Sequence, residues 1–388
     1  MNKKVGIVTY YEIYNYGSFL QAFAMQKTLE SMGYCVSILK FDESQFLYKI
    51  KMKFAIVFKL LIWPQYIKSV LALRRMGKNS KADLSSKTIK MFKNSIQKEL
   101  NIEKDTFEGF KRRGKTNEFI AFICGSDQIW SPLGIYLRKH KFLEFAPKNK
   151  RIAYAPSFGI NYIPKYNAIK IKRNLGNIKC LSIRETAGKD IIKKLVGLEA
   201  EVVLDPTLMV RDEFWKKLIK KSDNTKKDYV VCYFLSTPKE NVYDEIIKYA
   251  NNLELEIIYF PYEKFFENCD SAKFIELDPF NFLETLANSK IVFTDSFHGT
   301  AFSVIFEKPF ITFSRNHLNE YNQEARITSF LDSVKLIQRY KKNVIESGLN
   351  SELMKCDFSE AKKLLNEQRI KSIKFLNESL AKMEIYNE

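Results

Sequence analysis

The feature that most constrains this chain is a pattern that recurs along it: a short β-branched and aromatic run, a polar turn, then a helix. Its clearest instance runs from Ile291 to Phe306, I-V-F-T-D-S-F-H-G-T-A-F-S-V-I-F. Ile291 to Thr294 has the signature of a buried strand. Asp295, Ser296, His298 and Gly299 follow, and Thr300 to Glu307 carries Ala301, Val304 and Ile305 at helical spacing. Phe119 to Cys124, followed by Gly125-Ser126-Asp127-Gln128, repeats the pattern. Polar clusters that follow strand ends are expected on one face of a doubly wound sheet. There, unpaired N–H groups at helix starts face the crevice where ligands bind.

Taken in order, Val5 to Tyr10 predicts a strand, Ser18 to Met32 a helix that Ser18 caps and Gly33 ends, and Tyr34 to Phe41 a second strand. Residues 46–76 mix apolar runs (Phe54 to Phe58, Leu60 to Trp63) with Lys51, Lys53, Lys59 and Lys68, and Pro64 interrupts them. A spanning helix needs about 20 nearly uncharged residues, so this segment predicts instead a basic amphipathic helix, either on an anionic membrane surface or packed on the protein. Residues 77–118 are polar and lysine-rich and read as a mobile or helical excursion. Strands are expected at Phe119–Cys124, Ile152–Pro156, Leu181–Glu185 and Val202–Leu204, with a helix from Thr186 to Val196. A second α/β block begins near Tyr229, with strands at Tyr229–Leu235, Glu256–Phe260, Ile291–Thr294 and Phe310–Phe313, and helices at Pro238–Asn251 and Phe280–Asn288. Lys362 to Met383 predicts a terminal helix. The economical division is a first α/β domain over 1–206 with a basic helical insertion at about 46–118, a second over 207–345, and a helical segment over 346–388.

The net charge of +18 points either to an anionic partner (acidic lipid headgroups, nucleic acid, or a phosphorylated or carboxylated substrate) or to lysine-rich faces that merely solvate the protein. No recognisable binding module supports nucleic acid. The six cysteines are scattered without metal-ligand spacing, which suits a reducing cytoplasm, and the N-terminus enters a strand at once with no signal-peptide core. No P-loop, G-x-G-x-x-G, D-x-D or H-E-x-x-H pattern is present, so no metal or nucleotide motif is implied. What remains is His298, at a strand-to-helix junction, and Arg184, Arg315 and Arg326 near predicted strand ends or helix starts. Arginine grips carboxylate or phosphate bidentately, and each such charge-assisted bond contributes about 1.5 to 3 kcal/mol.

The segment Thr294 to Thr300 resembles the most characteristic segment of the polysaccharide pyruvyl transferase family. Asn15-Tyr16-Gly17-Ser18, Gly125 to Trp130, Ser182-Ile183-Arg184-Glu185 and Asp205-Pro206-Thr207-Leu208 are similar to that family's pattern in the same order. Residues 42–118 carry no family motif. The resemblance implies two Rossmann-like domains facing a crevice, as in GT-B glycosyltransferases, and transfer of pyruvate from phosphoenolpyruvate, as co-substrate and with no cofactor, to two hydroxyls of a surface-polysaccharide precursor. By the same resemblance His298 is the general acid, Arg184 and Arg326 hold the donor, and Ser296 with the amides of Gly299 and Thr300 adds to that site. Asn15, Gly17, Ser126, Asp127 and Gln128 would face the sugar or lipid-linked acceptor from the first domain. The cysteine usage suits a cytoplasmic enzyme, and the basic segment at 46–76 adds the alternative of a peripheral position on the inner face of the membrane. Two other functions fit the residues: a metal-independent glycosyltransferase using a sugar nucleotide on the same architecture, and a non-catalytic basic protein that binds a membrane.

Overall fold

The computed structural model describes residues 3–42, 46–64, 67, 84–134, 136–219, 227–236, 240–260, 269, 272–315, 324–342 and 349–385. The apolar runs build two wholly parallel sheets. In the first, β1 (Lys4–Val8), β2 (Cys35–Phe41), β3 (Ile102–Asp105), β4 (Phe119–Cys124), β5 (Arg151–Ala153), β6 (Cys180–Ile183) and β7 (Glu201–Val202) lie in the order β3-β2-β1-β4-β5-β6-β7. In the second, β8 (Tyr229–Tyr233), β9 (Glu256–Tyr259), β10 (Ala272–Phe274), β11 (Ile291–Thr294), β12 (Phe310–Phe313) and β13 (Tyr340–Lys341) lie in the order β10-β9-β8-β11-β12-β13. Strand order reverses between β1 and β4 in one sheet and between β8 and β11 in the other, so the polar turns after those strands open at switch points.

The helices follow their capping chemistry. α1 (Tyr16–Ser31) starts on Asn15, whose side chain accepts the Ser18 N–H at 3.1 Å. Asn15 therefore holds the cap expected of Ser18, and the helix begins two residues earlier than its apolar spacing suggested. α2 (Phe46–Ile62) is a helix; residues 65–66 and 68–76 of the predicted basic segment lie outside the described residues. The expected excursion over 77–118 is corrected from residue 84 onward. α3 (Ser86–Glu99), β3 and α4 (Phe107–Gly114) form an integral unit of the first sheet, β3 pairing with β2 in parallel register from Ile38 against Ile102. Its sequence, I-E-K-D, is an edge strand with too few apolar residues to announce itself.

α5 (Lys165–Leu175), α6 (Thr186–Val196), α7 (Pro206–Met209) and α8 (Asp212–Leu218) complete the first half; α9 (Glu240–Asn252), α10 (Pro279–Ala287), α11 (Phe297–Ile305) and α12 (Ala325–Ser333) flank the second sheet. α13 (Ser359–Ile385) returns to the first sheet, where Ser372 Oγ accepts the Leu204 N–H at 2.9 Å. One apolar cluster runs through both halves. At its centre the α1 residue Tyr16 stacks on Phe282 of the second half, ring centroids 4.4 Å apart, and donates its hydroxyl hydrogen to the Leu277 carbonyl at 3.1 Å. Burial on nearly every side of α1 thus fixes one domain against the other across the crevice.

Candidate active site

The turn after β11 places the histidine. Thr294 Oγ1 donates to the Tyr233 carbonyl at 2.6 Å and accepts the Ser296 N–H at 3.0 Å, while Asp295 accepts the Leu235 and Ser236 amides at 2.7 and 3.0 Å. These bonds lock β11 to the loop after β8 and start α11 at Phe297, three residues earlier than the sequence suggested. His298 therefore sits in the first turn of a helix. The amides expected to face a donor are already engaged: Gly299 donates to Ser296 Oγ at 3.4 Å and Thr300 to the Ser296 carbonyl at 3.0 Å. Ser296 is the helix cap, and Thr300 is buried with its hydroxyl 2.7 Å from that of Thr312.

His298 meets the first domain edge-on. A Cβ placed on Gly17 would lie 2.0 Å from His298 Nδ1, so only glycine lets α1 approach the ring this closely. On its other side, His298 Nε2 lies 3.8 Å from Asp205 Oδ2. Asp205 follows β7, caps α7 through the Thr207 N–H at 2.9 Å, accepts Ser126 Oγ at 2.8 Å, and pairs with Arg184 Nη1 at 2.9 Å. Burial alone would push its carboxyl up, but Arg184 and His298 hold it well below the usual carboxylate range.

Asp127 is the second carboxylate. It accepts Ser18 Oγ at 2.7 Å and lies 3.5 Å from Arg184 Nη2 and 3.8 Å from Arg326 Nη1. Here too burial raises the acid while Arg184, His298 and Arg326 lower it, and the lowering prevails. Its backbone adopts φ 58°, a left-handed conformation that aspartate tolerates, and Gly125 before it at φ 122° leaves no room for a Cβ, which would fall 2.0 Å from the Tyr154 carbonyl oxygen. Burial, with Arg184 and Arg315 nearby, brings the Arg326 guanidinium down to about 9, so it stays cationic at neutral pH. Arg184 lies over the Phe297 ring, 4.8 Å from its centroid.

The structure thus gathers His298, Arg184, Arg326 and Asp127 from both domains. Asn15 and Ser126 are spent on a helix cap and on Asp205, the Gln128 side chain packs against Gly159, and Arg315 donates to the Asp295 carbonyl at 3.1 Å. Sequence reasoning missed Asp205 as a site residue although its Asp-Pro turn was visible at a strand end, and it took Ser18 for a cap. It also passed over Glu185, fully buried, whose Oε1 accepts Ser157 Oγ at 2.9 Å and whose acidity burial reduces. Among the described residues, His298 Nε2, Arg184 Nε, Arg326 Nε and Glu185 Oε2 are buried polar atoms without a hydrogen-bond partner. Such a concentration at one place is costly and marks a position where a polar ligand belongs.

The two parallel sheets and the crevice between them define a two-domain α/β fold of the GT-B kind. Residues 15–317 match the family described as polysaccharide pyruvyl transferase, and the chain belongs to that family. It is a transferase by that membership. Among solved structures, UGT2 of Phytolacca americana complexed with UDP-2fluoro-glucose and pterostilbene is similar over 98% of this chain and 99% of its own, at 12% identity and a TM-score of 0.50. The UDP-N-acetylglucosamine 2-epimerase of Rickettsia bellii covers 100% and 98% at 12% identity and a TM-score of 0.49. The first of these likenesses concerns the fold alone. No curated protein matches the chain.

Proposed function

We propose that the chain transfers a pyruvyl group from phosphoenolpyruvate to two hydroxyls of a sugar in a surface-polysaccharide precursor, forming a cyclic ketal. The observation that carries this reading is the set of unpartnered buried nitrogens on His298, Arg184 and Arg326, a proton donor beside two fixed cations. Arg184 and Arg326 would hold the donor's carboxylate and phosphate. His298 would protonate the methylene carbon, leaving positive charge on the carbon that bears both groups. One sugar hydroxyl attacks that carbon and loses its proton, phosphate departs with the electrons of its C–O bond, and the second hydroxyl closes the ring and loses its own proton. Asp127, held ionised on the first-domain side, suits the role of accepting a hydroxyl proton. Asp205, 3.8 Å from His298 Nε2, sets a negative charge beside the nitrogen that would carry the proton.

A membrane-bound source of acceptor is favoured by α2. Phe54, Val57, Phe58 and Leu61 fall on one face at helical spacing and are 72, 55, 64 and 75% exposed, while Lys59 on the other side donates to Asn167 of α5 at 2.6 Å. Among the described residues no helix is long and apolar enough to cross a membrane. The geometry fits a helix lying on an anionic surface.

The deciding experiment is thermal unfolding with phosphoenolpyruvate and, in parallel, UDP. Ligand at about 100 times Kd adds roughly 2.7 kcal/mol, a plain upward shift in Tm. Phosphoenolpyruvate is expected to raise Tm of the wild type and much less that of Arg326→Lys. A shift with UDP and none with phosphoenolpyruvate would replace this reading by a sugar-nucleotide glycosyltransferase.

A further inference from the structure

Glu185 occupies the cap position of α6 but does not cap it with its side chain. Its backbone carbonyl accepts the Gly188 and Lys189 amides at 3.0 and 3.2 Å, while its carboxyl makes no capping bond. A carboxylate at a helix start ordinarily turns back to the first amides, where the helix dipole favours its charge. The Glu185 carboxyl is instead buried against the loop after β5. Two donors there point at one oxygen. Ser157 Oγ, which accepts the Gly159 N–H at 2.9 Å, gives its single hydrogen to Glu185 Oε1 at 2.9 Å, and the Phe158 N–H donates to the same atom at 3.2 Å. Oε1 is thereby fixed as an acceptor. Oε2 is left buried with no hydrogen-bond partner among the described residues.

The charges that act on this carboxyl are two cations, Arg184 beside it in the chain and Arg326 from α12. Asp127, from the turn after β4, lies against the same two guanidiniums at 3.5 and 3.8 Å, His298 faces Asp205, and Lys189 turns to Glu199 at 3.9 Å. Burial raises the acid further than the two arginines lower it. Arg184 Nε and Arg326 Nε are buried and unpartnered as well. An ionised carboxylate would repel an anion drawn to those nitrogens. A carboxylic acid would not: with Oε1 committed to accepting, its hydrogen sits on Oε2 and offers the anion a third donor.

We propose that Glu185 acts as a neutral acid, its Oε2–H donating to an oxygen of the phosphate that Arg184 and Arg326 hold. That the phosphate belongs to phosphoenolpyruvate rests on the transferase reading; the contact between the acid and the anion does not. The test is isothermal titration of the full chain at pH 6 with phosphoenolpyruvate and, separately, with inorganic phosphate. The proteins are wild type, Glu185→Gln, Glu185→Ala and Arg326→Lys. Glutamine keeps an oxygen for Ser157 and Phe158 and puts an N–H where the acid has its O–H, so this variant reports even if alanine disturbs the fold.

Glu185→Gln should bind both anions within about threefold of the wild type, and Glu185→Ala about tenfold more weakly. A glutamine variant that binds tenfold or more tightly than the wild type would reveal an ionised carboxylate and overturn the proposal. So would an alanine variant equal to the wild type, or a glutamine variant no better than a folded alanine one. If phosphoenolpyruvate fails to bind while inorganic phosphate keeps this dependence on residue 185, the donor assignment fails and the role of Glu185 stands. If phosphoenolpyruvate binding depends on Arg326 and not on residue 185, the donor assignment stands and this proposal falls.

Discussion

At the scale of single residues, chemistry and support can be separated experimentally. His298→Gln is expected to keep the stabilisation by phosphoenolpyruvate and to lower ketal formation about 10² to 10⁴-fold, measured as phosphate release with acceptor present. A glutamine variant with wild-type turnover would remove the histidine from the mechanism. Gly17→Ala tests the close approach: alanine favours a helix by about 1 kcal/mol, yet its methyl would overlap the imidazole. Activity should therefore fall with no loss of helix content by circular dichroism. The carboxylates make opposite demands on pH. The lowered values of Asp127 and Asp205 mean that their contribution to stability is complete above the unfolded value near 4 and lost as pH falls through their folded values. For Glu185 the folded value is raised, so its contribution is present below the unfolded value and lost as pH rises. Glu185→Gln should gain on the wild type in urea midpoint as pH goes from 4 to 8; a difference that does not change with pH would refute this. His298, Arg184, Arg326 and Asp127 were legible because each lies near a strand end or a helix start, where polar residues interrupt apolar ones. The Arg184 to Asp205 pair was not, because a contact between turns 21 residues apart leaves no period in the chain.

Among the elements, strands such as Phe119–Cys124, Ile291–Thr294 and Phe310–Phe313 matched their expected bounds because continuous apolar runs between turns leave little freedom. β3 did not, since its place is settled by backbone pairing with β2 and by the Arg113 ion pairs to Glu103 and Asp105 rather than by apolar side chains. α2 is the element whose purpose packing leaves open on one side. Phe58→Glu combined with Leu61→Glu should abolish co-sedimentation with anionic vesicles while changing stability by less than about 1 kcal/mol, because both side chains are already in water. Unchanged sedimentation would return α2 to the status of a packed insertion.

For the whole molecule, α13 acts as a strap. Lys362, near its start, donates to the Ile305 carbonyl of the second domain at 3.2 Å; Arg369 Nη2 meets Asp212 at 2.5 Å; and Glu384, near its end, accepts from Lys3 at 2.7 Å and from Tyr34 at 3.0 Å. Arg369 is buried, so Arg369→Ala leaves Asp212 facing Lys362 alone and should cost about 3 to 5 kcal/mol in urea unfolding, with phosphoenolpyruvate binding unchanged at temperatures where the variant is folded.

Leu376, Leu380 and Met383 of α13 belong to the same apolar cluster as Val5, Ile7 and Ala121 of the first sheet. During synthesis, then, the first domain cannot close its core when its own strands emerge from the ribosome. It must wait through some 180 further residues with that sheet face open, an interval in which a nascent chain is exposed to aggregation and calls on chaperones.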